Sequence, residues 1–193
     1  QFHYEDIPTY TGRSVELYSG HMQSSKYFSN HWDKNKQNFT LKDEHRFYIL
    51  DKYGKYLNGN TCSIHVRRTD YTTDLNLDYH GVMPLSYYYE AIKSIYGVEK
   101  PSNVLFIICS DDPKWCMENI SLPNSFFVQG EENVIDLFIM SYCKNHIICN
   151  SSFGWWSAWM GSNPNKRVVC PLKWFNKAPV NSNDVACDGW III

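Results

Sequence analysis

The sequence lacks any apolar run of membrane-spanning length. Its longest, such as "VLFIICS" (104–110) and "HIICNSSF" (146–153), fall well short of the roughly 20 residues a spanning helix needs. It also lacks an excess of positive charge: formal net charge is -2 and the pI is about 6.4, so no global attraction draws it to nucleic acid or anionic lipid. An anion would have to be gripped locally. The opening "QFHYEDIPTYTG" has no basic region leading into an apolar one, so it is not a secretory signal. It begins without Met, reads as a fragment or trimmed chain, and leaves an upstream signal or anchor open. Internal repeats and low-complexity tracts are absent. The seven cysteines are an odd count, and Cys62, Cys109, Cys149 and Cys170 lie in or beside apolar strand-like runs, which favours packing over a disulfide framework. Cys143, His146 and Cys149 would straddle a helix end and a strand with no fourth ligand at the usual spacing, so no metal site is expected.

What is present is enough for one domain of ordinary size: 193 residues, 44% hydrophobic and 20% charged. Residues 1–60 read as a connecting segment, with "SSKYFSNHWDKNKQNF" irregular or weakly helical. From residue 61 short apolar runs alternate with longer amphipathic ones. "TCSIHV", "NVLFIICS", "SFFV", "HIICN" and "RVVCP" read as strands. In "LSYYYEAIKSIYG", Tyr88, Ala91, Ile92, Ile95 and Tyr96 share one helical face and Gly97 supplies the stop. "DDPKWCMENI" offers Asp112 as a cap with Pro113 at the first helical position. "EENVIDLFIMSYCKN", acidic at its start, and "SSFGWWSAWMG" read as further helices. This order predicts an α/β fold: a Rossmann-like parallel sheet over 61–193 with helices on both faces and ligands at the carboxyl ends of the strands.

The segment "TCSIHVRRTDY" (61–71) puts His65, Arg67, Arg68 and Asp70 where the first strand leaves the core. The planar guanidinium suits bidentate grip of a phosphate or carboxylate at any working pH; the bland alternative is an ion pair with Asp70 or another sheet-end carboxylate. "CNSSFGWW" follows a strand and opens a helix, so Ser151, Ser152, Phe153 and Gly154 form either a donor-rich anion seat or a plain serine cap. Both elements open on the same sheet edge, which lets one diphosphate lie between them. Asp111 and Asp112 point to general-base or metal work, or to a helix cap. Asp136, set among Ile135, Leu137 and Phe138, either faces solvent or accepts hydrogen bonds from a specific partner such as the N1–H and N2–H of guanine. Trp155, Trp156 and Trp159 fit core packing better than a sugar platform.

"MQSSKYF", "HVRRTDY", "CSDDPKWC" and the block "DLFIMSYCKNHIICNSSFGWWSAWMGSNPNKRVVCPLKWF" together resemble the alpha-1,2-fucosyltransferases of glycosyltransferase family 11, over roughly residues 20–193. The resemblance implies a GT-B-like fold and inverting transfer of L-fucose from GDP-fucose to the 2-hydroxyl of a galactoside, with no metal or other cofactor. It implies that His65 touches the nucleotide, Arg67 grips the β-phosphate as a catalytic group and Arg68 supports the loop. Asp136 would read guanine, and Ser151, Ser152, Phe153 and Gly154 would border the diphosphate. Asp70 and Asp74 lie near the donor loop; Asp70 is the candidate base or else a buttress for the arginines, and a reaction of strong oxocarbenium character needs little help from a base. The implied partners are GDP-fucose and a galactose-containing glycan, not nucleic acid.

Three departures from the family stand out. Its Gly-rich N-terminal block is absent, so the chain reads as the donor-binding half with a connecting segment. Gly154 stands where Ser is usual, with a Ser at 157, and Thr69 replaces a common Gly. Two locations stay open: the cytoplasm, with peripheral membrane association, for a bacterial enzyme, and the Golgi membrane for an animal one. The rival reading is a non-catalytic sugar-nucleotide or glycan-binding fragment. A nucleic-acid module built on "HVRR" and its tyrosines is disfavoured by the acidic balance.

Overall fold

The structure, a computed structural model, describes residues 4, 12, 24–31, 39–177 and 181–193. Its contacts divide into two units, 1–40 with 179–188, and 41–178 with 189–193. In the first unit the Ser24 hydroxyl accepts from the Lys26 amide at 3.4 Å and caps a short 3₁₀ turn, Ser25–Tyr27. Lys26 pairs with Asp184 at 2.5 Å.

The second unit holds a sheet of six parallel strands. In chain order its elements are α1 (Asp43–Leu57), β1 (Thr61–Val66), α2 (Asp74–Tyr79), α3 (Leu85–Tyr96), β2 (Leu105–Ser110) and α4 (Pro113–Asn119). There follow β3 (Ser125–Phe127), α5 (Asn133–Ser141), β4 (Asn145–Ile147), α6 (Ser152–Met160), β5 (Val168–Cys170) and β6 (Ile191–Ile192). The strands lie in the order β3-β2-β1-β4-β5-β6, and every pairing is parallel. This is the doubly wound Rossmann-like arrangement, whose strand order reverses between β1 and β4.

Two-residue periodicity sorts the side chains of the central strands. Cys62, Ile64 and Val66 of β1, with Phe106 and Ile108 of β2, pack against Tyr88, Ala91, Ile92 and Ile95 of α3 and Cys116 of α4. On the other face Ile107 and Cys109 meet Ile49, Tyr53 and Leu57 of α1 and Ile135, Ile139 and Met140 of α5. Both faces of the sheet are therefore covered, as a parallel sheet requires.

The expected boundaries hold at several points for the expected reasons. Gly97 ends α3 in the left-handed conformation, φ 79°. The Asp112 carboxylate accepts from the Trp115 amide at 3.1 Å, with Pro113 opening α4. The strand expected at 146–150 is shorter than predicted: β4 stops at Ile147, and the Ser151 amide turns back to the Cys149 carbonyl at 2.8 Å as the chain swings outward. Three elements had no predicted counterpart, namely α1, α2 and β6.

Candidate functional site

Open α/β sheets bind ligands in the crevice outside the strand carboxyl ends, where the strand order reverses. Here that point is flanked by the loop after β1 and the loop after β4. The two loops touch. An ideal Cβ built on Gly154 would lie 2.7 Å from His65 Nδ1 and 3.1 Å from its Cγ, so the missing side chain lets the first turn of α6 settle against the end of β1. His65 is 4% exposed; its Nδ1 shares a hydrogen bond with the Cys149 thiol at 3.3 Å, and its ring leans on Phe153, 5.4 Å between centroids. Burial pushes its pKa down to about 4, with Asp111 opposing the shift, so the imidazole is neutral at physiological pH.

Arg67 is half-exposed. Its Nε lies 2.9 Å from Asp70 and 3.5 Å from Asp111, and its guanidinium sits 5.7 Å from the Tyr71 ring centre. Arg68 turns the other way, its guanidinium 3.7 Å from the Trp115 ring centre and its Nε 3.6 Å from Asp112. The sequence posed ion pairing and anion binding as alternatives for these arginines. The ion pairs are present, and 36% of the Arg67 side chain still faces solvent.

Asp111, read from sequence as a base or metal candidate, is a loop clamp. Its carboxylate accepts from the Arg68 amide at 2.9 Å, from the Thr69 amide at 3.0 Å and from the Thr69 hydroxyl. Asp112, besides capping α4, stands beside Arg68. Among the described residues no group of three or more His, Cys, Asp or Glu is placed to hold a metal ion. Cys143, His146 and Cys149 are all buried, and His146 Nδ1 is 2.8 Å from the Ser63 hydroxyl.

At α6 the Ser151 side chain makes no capping hydrogen bond, so the plain-cap alternative does not apply. The nine-residue helix presents the amides of Ser152, Phe153 and Gly154 at its N-terminus, beside Ser151, where the helix dipole favours negative charge. The tryptophans pack on one another, with Trp155 and Trp159 stacked at 5.6 Å. Asp136 does not simply face solvent. Its Oδ1 is buried with no hydrogen-bond partner. Burial, helped by the charge of Glu131, raises its pKa to about 6. Glu131 itself is fully engaged, accepting from Lys52 and Tyr53 at 2.5 Å and from Tyr48 at 3.0 Å. Burial would raise its pKa, but the bonds from Lys52, Tyr53 and Tyr48 overcome that and lower it.

Sequence reasoning missed the clamp at Asn150. The Asn150 amide nitrogen donates to the carbonyls of His80 (2.8 Å), Gly81 (3.3 Å) and Trp174 (3.3 Å), tying two loops to the start of α6. The Tyr71 hydroxyl donates to the Asn150 carbonyl at 3.3 Å. Asparagine between a strand and a helix was the available signal, but its partners lie 24 to 70 residues away.

The fold and the position of its crevice define a Rossmann-like α/β protein with basic and helix-end groups at the switch point. Comparison with known proteins carries the assignment further. The model of the family described as Glycosyl transferase family 11 matches residues 1–193, and the chain belongs to that family. It is 38% identical over 178 residues to the O-antigen biosynthesis glycosyltransferase WbnK of Escherichia coli, covering 80% of this chain and 58% of that protein. It is 32% identical over 191 residues to an alpha-1,2-colitosyltransferase of E. coli, covering 93% of this chain and 63% of that protein. A galactoside alpha-(1,2)-fucosyltransferase 1 of Bos taurus is 28% identical over 102 residues, 50% of this chain and 28% of that protein. The chain thus spans less than two thirds of the length of these relatives.

Proposed function

We propose that the chain is the donor-binding part of an inverting glycosyltransferase that moves L-fucose, or its 3-deoxy analogue colitose, from a GDP-linked donor to the 2-hydroxyl of a terminal galactoside. One observation carries the reading: at the switch point the end of β1, next to the half-exposed Arg67, packs against the first turn of α6 through His65 and Gly154. A diphosphate there meets a cation on one side and oriented N–H groups on the other. As the glycosidic bond breaks, negative charge grows on the β-phosphate, and these groups stabilise that state more than the ground state, without a metal. Asp136, half-buried with an orphaned carboxylate oxygen, would accept from guanine N1–H and N2–H. The names of the relatives support α-1,2 transfer and leave fucose and colitose both in play. Greater identity to the bacterial relatives favours work in the cytoplasm, at the membrane surface where lipid-linked glycans lie. Among the described residues no helix is long and apolar enough to cross a membrane.

The test is GDP release by the full-length protein from GDP-fucose and GDP-colitose, with and without lactose and with EDTA present. Lactose-dependent release that survives EDTA is expected with at least one donor. Binding of GDP without transfer would mean the non-catalytic reading is right, and no binding of GDP would overturn the donor site.

A further inference from the structure

Beside the crevice lies an open hollow of about 240 Å³ whose lining includes Leu77, His80, Met83, Lys173, Phe175 and Asn176. Two segments wall it. The loop after α2 carries His80 and Gly81, and residues 173–176 form the opposite side. The walls are fixed to one another, since the Asn176 amide donates to the Tyr79 carbonyl at 2.9 Å. Both are fixed to the start of α6 through Asn150. The lining is mostly apolar with a few polar groups, which suits a pyranose presenting one C–H face and several hydroxyls.

The His80 imidazole stands between the hollow and Arg67. Its ring stacks on Tyr71 at 4.4 Å and 8°, and Tyr71 in turn lies under the Arg67 guanidinium at 5.7 Å. Tyr71 thus joins the donor-side cation to the imidazole that lines the hollow. An inverting displacement needs acceptor and phosphate at separate places, because the attacking hydroxyl and the leaving phosphate occupy opposite sides of the anomeric carbon. Tyr79 and Phe175 pack on the imidazole at 4.8 and 5.7 Å, and its nitrogens make no hydrogen bond among the described residues. Asp70 is occupied by Arg67 at 2.9 Å, so the neighbouring carboxylate serves the guanidinium while a ring nitrogen stays available.

Resting on the donor reading above, we propose that this hollow seats the acceptor pyranose and that His80 is the general base for its attacking hydroxyl. The hydroxyl oxygen forms the new bond to the anomeric carbon as its proton passes to the unprotonated imidazole nitrogen. The bond from that carbon to the β-phosphate oxygen breaks with its electron pair, GDP departs, and the imidazolium later yields its proton to solvent. The charged and titratable groups around the ring are Asp70 and Tyr71 after β1, Tyr79 in α2 and Lys173 across the hollow. Burial lowers the imidazole pKa and Asp70 opposes the shift, so the base form prevails at neutral pH.

The experiment compares full-length wild type with His80→Gln, measuring GDP affinity, kcat and lactose KM from pH 5 to 8. The variant is expected to bind GDP as the wild type does, to lose about 10²- to 10⁴-fold in kcat, and to lose the acid limb of the wild-type profile. Phe175→Ala is expected to raise lactose KM with kcat little changed. Should His80→Gln fail to fold, the His80 ring resonances of the wild type serve instead, and lactose must shift them. Wild-type kcat with an intact acid limb in His80→Gln, or resonances indifferent to lactose, overturns this inference alone. A wild type that never releases GDP in response to lactose overturns the donor reading and this inference with it.

Discussion

Replacing Gly154 by alanine tests the convergence on which the site depends. In an ordinary helix this change is favourable by up to about 1 kcal/mol, because alanine has the better helix propensity. Here the new methyl would arrive 2.7 Å from Nδ1, 3.1 Å from Cγ and 3.2 Å from Cβ of His65. His65 has no space to retreat into, being 4% exposed, hydrogen-bonded to Cys149 and packed on Phe153. Overpacking of this kind costs about 1–3 kcal/mol, so the clash outweighs the helix gain and Gly154→Ala is expected to destabilise. In a chain of this size each kcal/mol lowers Tm by about 2–4 °C. The same displacement of α6 from β1 should weaken GDP binding by about tenfold or more, which is about 1.4 kcal/mol. Urea unfolding and calorimetric titration with GDP measure the two effects. Adding His65→Ala removes the two shortest contacts and leaves only the one to Cβ, so the alanine penalty should shrink in that background. An equal penalty in both backgrounds, or unchanged stability with unchanged GDP affinity, would refute the reasoning.

Three further outcomes follow from the same geometry. Arg67→Ala should lower the transfer rate by about 30- to 1000-fold, or roughly 2–4 kcal/mol of transition-state stabilisation. Its stability change should stay within about 1 kcal/mol, since a half-exposed ion pair with Asp70 contributes little; comparing kcat with the urea midpoint checks both. Asp111→Ala removes the carboxylate that gathers the Arg68 and Thr69 amides and the Thr69 hydroxyl; water can reach the exposed Thr69 groups, so the change should cost about 0.5–1.5 kcal/mol in unfolding free energy while weakening GDP binding. Asp136 has a folded-state pKa of about 6 against an ordinary 3.8, so the folded protein holds its proton more tightly than the unfolded one. Stability from this group is present at low pH and is lost as pH rises from about 4 to about 6. Asp136→Asn should therefore raise Tm above pH 6, give no gain near pH 4, and weaken GDP binding; a Tm gain that persists at pH 4 would contradict this account.

The sheet was legible because its central strands are buried on both faces and read as continuous apolar runs: "TCSIHV" was bounded to the residue as β1. Strong punctuation, with Asp112 and Pro113 at one helix start and Gly97 at another helix end, fixed α3 and α4. Helix α1 was invisible for the opposite reason. Its buried stripe of Ile49, Tyr53 and Leu57 is one residue per turn wide, while Phe47 and Leu50 face outward and blur the period. Helix α2 buries none of its six residues, and β6 is two residues long, so neither carries a periodic signal. At the site, the residue types and the two converging loops could be read from strand ends and a helix start. The Asp111 clamp and the Asn150 tie could not, since each joins groups far apart in sequence through contacts that only the fold creates, and the stacking of His80 on Tyr71 depends on the path of the chain between them.

Asn150 shows how narrow chemical tolerance can be at a buried junction. Its side-chain nitrogen faces three carbonyl oxygens from two separate loops, and its own Oδ1 is buried without a partner. Aspartate has the same outline, yet exchanging that nitrogen for oxygen would set an anion against three acceptors and leave no hydrogen to bridge them. Shape alone does not qualify a residue for this position; it must bring the polarity of an amide.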